Sequence, residues 1–214
     1  MIPKCIHLIW MQGHNRLPNK YASGCLSWAD KNPSWKVTIW SRDTLPKLQN
    51  SWVLDIDDPT LQSDIARFEI VRLYGGMYVD CDTVCLKAID PLVETYDAFV
   101  SKRTPERLAS SSFGATAEHP WLVDMVNEIT SRRALLTRPG NIRGALERAT
   151  RRHPEVERLP YSCLELSNAT TESYALHYTD GEWRNHPAAA GAHKHPRVTG
   201  TNPTRDKWRP QQAM

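Results

Sequence analysis

The chain has 214 residues, 40% of them hydrophobic and 24% charged, with a formal net charge of +3. That is enough chain for one α/β domain with its own core, and the composition is ordinary for a soluble globular protein. So small a positive excess, much of it in residues 185–214, argues against a nucleic-acid partner.

The opening "MIPKCIHLIW" is too short an apolar stretch for a signal peptide, and no run approaches the roughly 18 apolar residues of a membrane span. Five cysteines (Cys5, Cys25, Cys81, Cys85 and Cys163) form no CxxC pair. Cys81-x-x-x-Cys85 lacks a matching second half, so reduced thiols in a cytoplasmic protein are expected rather than a zinc site.

Cys5 to Trp10 is apolar except for His7 and predicts a strand buried on both faces of a parallel sheet. "MQGHNRLP" follows as a loop. Tyr21 to Ala29 carries a helical apolar stripe stopped by "KNP". Trp35 to Trp40 alternates, which makes a β-α-β unit with a right-handed crossover. Asp55 to Pro59 reads as an acidic turn. A helix is then expected with Ser63 as its N-cap and Asp64 in its first turn, near the positive end of the macrodipole. Ile65, Phe68, Val71 and Leu73 form its apolar side, and Gly75 and Gly76 end it.

Met77 to Val79 is the next strand. Alternation puts Tyr78 on the same side as Asp80, and Asp80 falls at the strand's carboxyl end, where open α/β sheets bind ligands. Further on, Ala98 to Val100 predicts a strand, Pro120 to Arg132 and Ile142 to Arg152 predict helices, and Tyr174 to Tyr178 a last strand. From about Arg184 the apolar periodicity stops, as in a mobile basic tail. "HKH" within that tail reads as solvated rather than as a metal site. His7 is assigned to the structure, and Trp28, Trp35 and Trp40 mostly to the core.

"LYGGMYVDCDTV", residues 73–84, brings Asp80 and Asp82 close together, and something must compensate their repulsion. A solvated turn would do so. So would a divalent cation with a sugar nucleotide, since Asp64 and Arg67, three apart on one helix face, add a carboxylate and a guanidinium. A third reading takes "VDCDTV" as the motif of a haloacid-dehalogenase-type phosphatase with Asp80 as nucleophile. That motif normally sits on the first strand of its domain, and a convincing downstream lysine is missing.

"SDIARFEIVRLYGGMYVDCD" resembles the sugar-binding DxD region of glycosyltransferase family 32, which includes yeast initiating mannosyltransferases. It is also similar to the clostridial glucosylating toxins. "IPKCIHLIW", "SWADKNPSWKVTIW" and "ALHYTDGEW" agree in order with the family's opening strand, second helix and strand, and closing segment; "HPWLVDMV" is a weaker match between them. The likeness covers roughly residues 2–184. It implies a GT-A fold, a Rossmann-like mixed sheet flanked by helices in a single domain over 1–184, with a flexible tail over 185–214.

By that resemblance the activity is transfer of a sugar from a UDP- or GDP-sugar to a glycan or other hydroxyl acceptor, with Mn²⁺ or Mg²⁺ as cofactor and retention of the anomeric configuration; the sequence offers no obvious carboxylate nucleophile for a double displacement, so front-face attack is expected. Trp10 would lie against the nucleotide base, with Tyr78 near the nucleotide. Asp64 and Arg67 would contact the donor sugar, and Asp80 the ribose and sugar hydroxyls. Asp82 would ligate the metal with His177, Asp80 and Glu182 being further candidates, and Trp183 would approach the diphosphate. Asp64, Arg67, Asp80 and Asp82 form the expected catalytic set. Glu182 replaces the family's small hydroxyl residue and Tyr178 its second histidine, which puts the arrangement of the metal ligands in question. A non-catalytic sugar-nucleotide binder is the alternative of another class.

Overall fold

The structure, a computed structural model, describes residues 1–13, 17–136 and 141–178. A six-stranded mixed sheet forms its centre. Strands β1 (Cys5–Ile9), β2 (Lys36–Trp40), β3 (Gly76–Val79), β5 (Ala98–Thr104), β6 (Arg107–Ala115) and β7 (Glu157–Leu159) lie in the order β2-β1-β3-β6-β5-β7. The β1, β2 and β3 strands run parallel, as the β-α-β pattern predicts, while β6 is antiparallel to both β3 and β5. A separate two-stranded sheet pairs β4 (Thr83–Cys85) with β8 (Ala175–His177), in antiparallel register with Thr83 opposite His177.

Strand alternation divides the core between the two faces of the large sheet. Ile9, Tyr78, Val100 and Phe113 face helices α2 (Pro59–Tyr74), α4 (Pro120–Ser131) and α5 (Ile142–Arg152). Ile6, Leu8, Met77, Val79 and Phe99 face the layer containing α1 (Asn19–Lys31) and the short α3 (Asp90–Thr95). A four-residue helix α6 (Tyr161–Leu164) precedes β8. Trp28, Trp35 and Trp40 are buried, as assigned. No helix among the described residues is long and apolar enough to cross a membrane, and all five cysteines are free thiols.

The start of α2 corrects the sequence reading. Asp58, not Ser63, is the N-cap; its carboxylate accepts from the Thr60 and Leu61 amides, and Pro59 occupies the first turn. Proline lacks the amide that a first turn leaves unused, so Asp58-Pro59 starts the helix earlier than Ser63 would. Asp64 therefore lies beyond the first turn, out of reach of the dipole argument. The expected one-sided apolar stripe is also too narrow, because α2 is buried nearly all round from Leu61 to Val71. Even Glu69 is fully buried. Its carboxylate accepts from the Asn50 amide at 2.8 Å, from the Asn50 side chain at 2.9 Å and from the Gln49 amide.

A 3₁₀ turn over Ser51–Asp55 leads into bends at residues 56 and 57, within the acidic turn expected over Asp55 to Pro59, and Pro59 already belongs to α2. Strands β4, β6 and β7 and helices α3 and α6 were not anticipated. The β6 sequence, "RLASSSFGA", has little apolar alternation, yet the strand is held centrally by β3 and β5. The last strand belongs to the small sheet. The proposed tail lies outside the described residues.

The β1–β3 seam places the end of β3 where it is. Gly75 and Gly76 both have positive φ, 62° and 100°, as the predicted helix stop requires. A Cβ on Gly76 would collide with the Cys5 carbonyl oxygen, and one on Gly75 would meet the Ala117 amide nitrogen at 2.8 Å. Across this seam His7 Nε2 donates to the Gly75 carbonyl at 2.8 Å, while Nδ1 accepts from the Trp40 indole at 3.2 Å. That pairing requires neutral imidazole, and burial lowers its pKa to about 4.

Gly76→Ala should cost about 2–4 kcal/mol, through left-handed strain plus the collision with β1. An unchanged urea midpoint would contradict this account of the seam. His7 contributes stability that is complete above its unfolded pKa of 6.5 and lost as pH falls from there through about 4. The loss should be about 3 kcal/mol across that window. Urea melts at a series of pH values, compared with His7→Gln, should show that slope in the wild type and a flatter one in the variant.

Candidate active site

Asp80 follows β3 directly, and its backbone is secured on both sides. Its amide donates to the Ser111 carbonyl at 2.9 Å, and its carbonyl accepts from the Thr83 hydroxyl at 2.6 Å and the Thr83 amide at 3.2 Å. Period-two alternation delivers Tyr78 to the same side, and its hydroxyl donates to Asp80 Oδ1 at 2.7 Å. Arg67 reaches over from α2. One guanidinium nitrogen lies 3.1 Å from Asp80 Oδ1 and 2.9 Å from the Ser110 carbonyl, and another 2.7 Å from Asp64 Oδ1.

The expected sharing of a helix face by Asp64 and Arg67 is correct, but their pair is not a surface one. Arg67 is 4% exposed and stacks on the Tyr78 ring, its guanidinium carbon 4.6 Å from the centroid. Burial pushes the Asp80 carboxyl pKa upward, with Arg67 opposing that shift and the neighbouring Asp82 adding to it.

Asp82 lies in the β3–β4 turn, and the β4–β8 pairing brings His177 beside it. His177 Nε2 is 3.2 Å from Asp82 Oδ1, and its Nδ1 is 2.8 Å from Glu165 Oε2. Glu165 is itself held by the Ser111 hydroxyl, which lies 2.8 and 2.7 Å from its two oxygens. Burial by itself would lower the His177 pKa, but the hydrogen bonds to Asp82 and Glu165 push it up to about 11. The imidazolium thus compensates two carboxylates.

Donor atoms of Asp80, Asp82 and His177 all lie within 4.8 Å of one another. Two carboxylates and an imidazole fit a hard or borderline divalent cation. A cation there would displace the proton from Nε2 and take over its charge, with Glu165 still fixing the ring through Nδ1.

Asp80 and Asp82 border a cavity of about 300 Å³. Trp10 and Tyr21 line its other side, tilted against each other with centroids 5.5 Å apart. The Trp10 indole N–H is buried and unpaired among the described residues. The structure therefore assembles Trp10, Asp64, Arg67, Tyr78, Asp80 and Asp82 around one cavity, with His177 against Asp82. Glu182 and Trp183 lie outside the described residues. Sequence reasoning missed Tyr21, Ser111 and Glu165. Glu165 had one faint signal, an isolated acid in the short apolar run "CLEL" ahead of the closing strand.

The family model "Glycosyltransferase sugar-binding region containing DXD motif" matches residues 18–99. Inositol phosphoceramide mannosyltransferase 3 of Schizosaccharomyces pombe is 28% identical over 135 residues, covering 60% of this chain and 37% of that protein. A mannosyl phosphorylinositol ceramide synthase of Saccharomyces cerevisiae is 28% identical over 136 residues, covering 60% and 35%. The chain thus spans little more than a third of the length of these relatives. Among solved structures, galactosyltransferase LgtC with donor and acceptor sugar analogues superposes with a TM-score of 0.55 at 10% identity, over 95% of this chain and 99% of that one. The PaToxG glycosyltransferase gives 0.54 at 19% identity, over 69% and 68%.

The chain has a GT-A fold, and its residues 18–99 are similar to the glycosyltransferase sugar-binding region that contains a DXD motif. The matched segment contains α2, the paired glycines and both aspartates of the DxD. His177 and Glu165 lie beyond it, so their place at the site rests on the β4–β8 pairing and its surroundings.

Glu165→Gln should leave the fold intact and weaken Mn²⁺ binding about 10- to 100-fold, the usual effect of removing a partner that orients a ligating histidine. Calorimetric titration with Mn²⁺, beside circular dichroism, checks this. An unchanged affinity would remove Glu165 from the site.

Proposed function

We propose that the chain moves a glycosyl unit from a nucleoside diphosphate sugar to an acceptor hydroxyl, with Asp82 and His177 holding a Mn²⁺ or Mg²⁺ ion. The observation that carries this reading is the cluster of Asp80, Asp82 and His177, whose two aspartates line the same cavity as Trp10 and Tyr21. A divalent ion held by these residues would supply positive charge to a departing diphosphate.

The residues of the chain divide the remaining work. Trp10 and Tyr21 present aromatic surface for a base, which stacking accepts with little discrimination. The unpaired Trp10 indole N–H offers a donor to the same ligand. Asp64 and Asp80 each have an oxygen on Arg67, which orients them for the hydroxyls of ribose and sugar. Arg67 is held by the Ser63 and Ser110 carbonyls as well, so it positions both acids at once.

Retention by front-face attack is supported by the same network. Asp64 and Asp80 are both engaged by the guanidinium, and Asp82 pairs with His177. Each of the three carboxylates lining the cavity has one oxygen engaged in this way, which disfavours a double displacement. The phosphatase reading draws little support, since Asp80 Oδ1 is occupied by Tyr78 and Arg67. No lysine among the described residues lines the cavity. The names of the fungal relatives make a mannosyl donor the first to test.

Asp82→Asn should lower metal-dependent release of nucleoside diphosphate by about 100-fold or more, given the several kcal/mol that such charge stabilisation supplies. The assay is nucleotide release from a panel of UDP- and GDP-sugars in metal-defined buffer, with folding checked by thermal melting. Near-wild-type turnover in the variant would defeat the proposal, and donor binding without turnover in the wild type would favour a binding protein instead.

A further inference from the structure

We propose that Trp28 is a positioning residue for the metal site, acting through the Thr83 hydroxyl on the turn that carries Asp82. The proposal rests on the reading of Asp82 and His177 as metal ligands. Asp80 to Thr83 form a turn with Cys81 and Asp82 at its centre. Its closure is double: the Asp80 carbonyl accepts from the Thr83 amide at 3.2 Å and from the Thr83 hydroxyl at 2.6 Å. The amide bond is common to turns of this kind. The shorter hydroxyl bond needs the single hydroxyl proton to point at Asp80. Trp28 on α1 sets that direction, because its indole N–H donates to the Thr83 oxygen at 3.0 Å. An indole nitrogen can only donate, so the hydroxyl keeps its own proton for the Asp80 carbonyl.

The turn needs an anchor because the strand after it stands apart from the large sheet. Among the described strands β4 pairs with β8 alone, and Thr83 lies opposite His177 in that pairing. Both prospective ligands, Asp82 and His177, thus belong to a small unit that α1 fastens to the molecule. Ser27 on that helix accepts from the Cys85 amide at 2.8 Å. Asn32, at the helix end, accepts from the Ile89 amide at 2.9 Å and donates to the Trp28 carbonyl at 2.9 Å. The helix backbone itself lies against the strand, since a Cβ on Gly24 would come within 2.5 Å of the Thr83 carbonyl oxygen. Of these bonds, the one from Trp28 leads into the turn between the two aspartates.

Packing alone does not account for this chain of bonds. Trp28 and Thr83 are fully buried, and an apolar pair of the same shape would be almost as stable there, because a buried hydrogen bond adds little net stability. What the indole and the hydroxyl add is direction, which a metal ligand needs from the groups behind it. Trp121 provides the contrast within the same molecule. It is also fully buried, and its indole N–H donates to the Thr150 hydroxyl at the same 3.0 Å. That bond joins α4 to α5 and leads to no group of the site.

The test is calorimetric titration of the full chain with Mn²⁺, with folding followed by circular dichroism. Thr83→Val and Trp28→Phe should each weaken binding about tenfold or more, as loss of an orienting partner does. Thr83→Ser, which keeps the hydroxyl, should keep the wild-type affinity. Trp121→Phe should keep it too, although it loses a bond of the same kind. Wild-type affinity in Thr83→Val or Trp28→Phe would overturn the proposal. Equal losses in Thr83→Ser or Trp121→Phe would also overturn it, because they would trace the effect to packing. Failure of the wild-type chain to bind Mn²⁺ at all would defeat the metal reading and this proposal with it, whereas the variant comparison can defeat this proposal alone.

Discussion

Arg67 is the constraint on which the site depends. It is an almost fully buried cation whose partners come from three directions: Asp64 on its own helix, Asp80 at the end of β3, and the Ser110 carbonyl on β6. Taking a guanidinium out of water is expensive, and its attraction to two carboxylates roughly offsets that expense without a large surplus. What the arrangement secures is position. Once α2 packs against the sheet, the charge has few places to go, and each carboxylate is held at a defined angle to the cavity.

The two aspartates of the DxD are compensated separately. Asp80 is answered by Arg67 and the Tyr78 hydroxyl; Asp82 is answered by the His177 imidazolium, which Glu165 and Ser111 hold from behind. The first set is permanent, because a guanidinium does not release its proton in a protein. The second is exchangeable, because imidazole can give up a proton and then donate a lone pair. On the proposed reading, a metal would sit on the Asp82 side and sugar orientation would fall to the Asp80 side.

These two compensating systems arrive by different routes through the fold. Arg67 rides on a helix sandwiched between sheet and helices, where ten residues from Leu61 to Val71 are buried. His177 arrives on a three-residue strand that belongs to a two-stranded sheet outside the main one. A rigid half and a lighter half thus meet at Asp80–Asp82, with the Gly75–Gly76 stop and the His7 hydrogen bonds keeping the strand end in place. Thr60, Asp64, Arg67 and Asp80 line a second cavity as well as the first.

The β-α-β opening, the glycine stop and the strand-end placement of Asp80 were legible in the sequence because they depend on local rules: apolar period, left-handed backbone and side-chain alternation. Ordered motifs also marked Trp10, Asp64, Arg67, Tyr78, Asp82 and His177 for the site. The start of α2 was misplaced because Ser63 and Asp58 are both good caps, and only the chain's path decides between them. Ser111 and Tyr21 were out of reach, and Glu165 nearly so, since their partners lie 11 to 54 residues away along the chain. Strand β6 was hidden too, because a serine-rich segment becomes a central strand only when flanking strands satisfy its backbone. By itself the sequence determined which residue types gather at the end of β3. Tertiary structure alone decided which charge answers which, because burial and distance set the electrostatics, and neither is written along the chain.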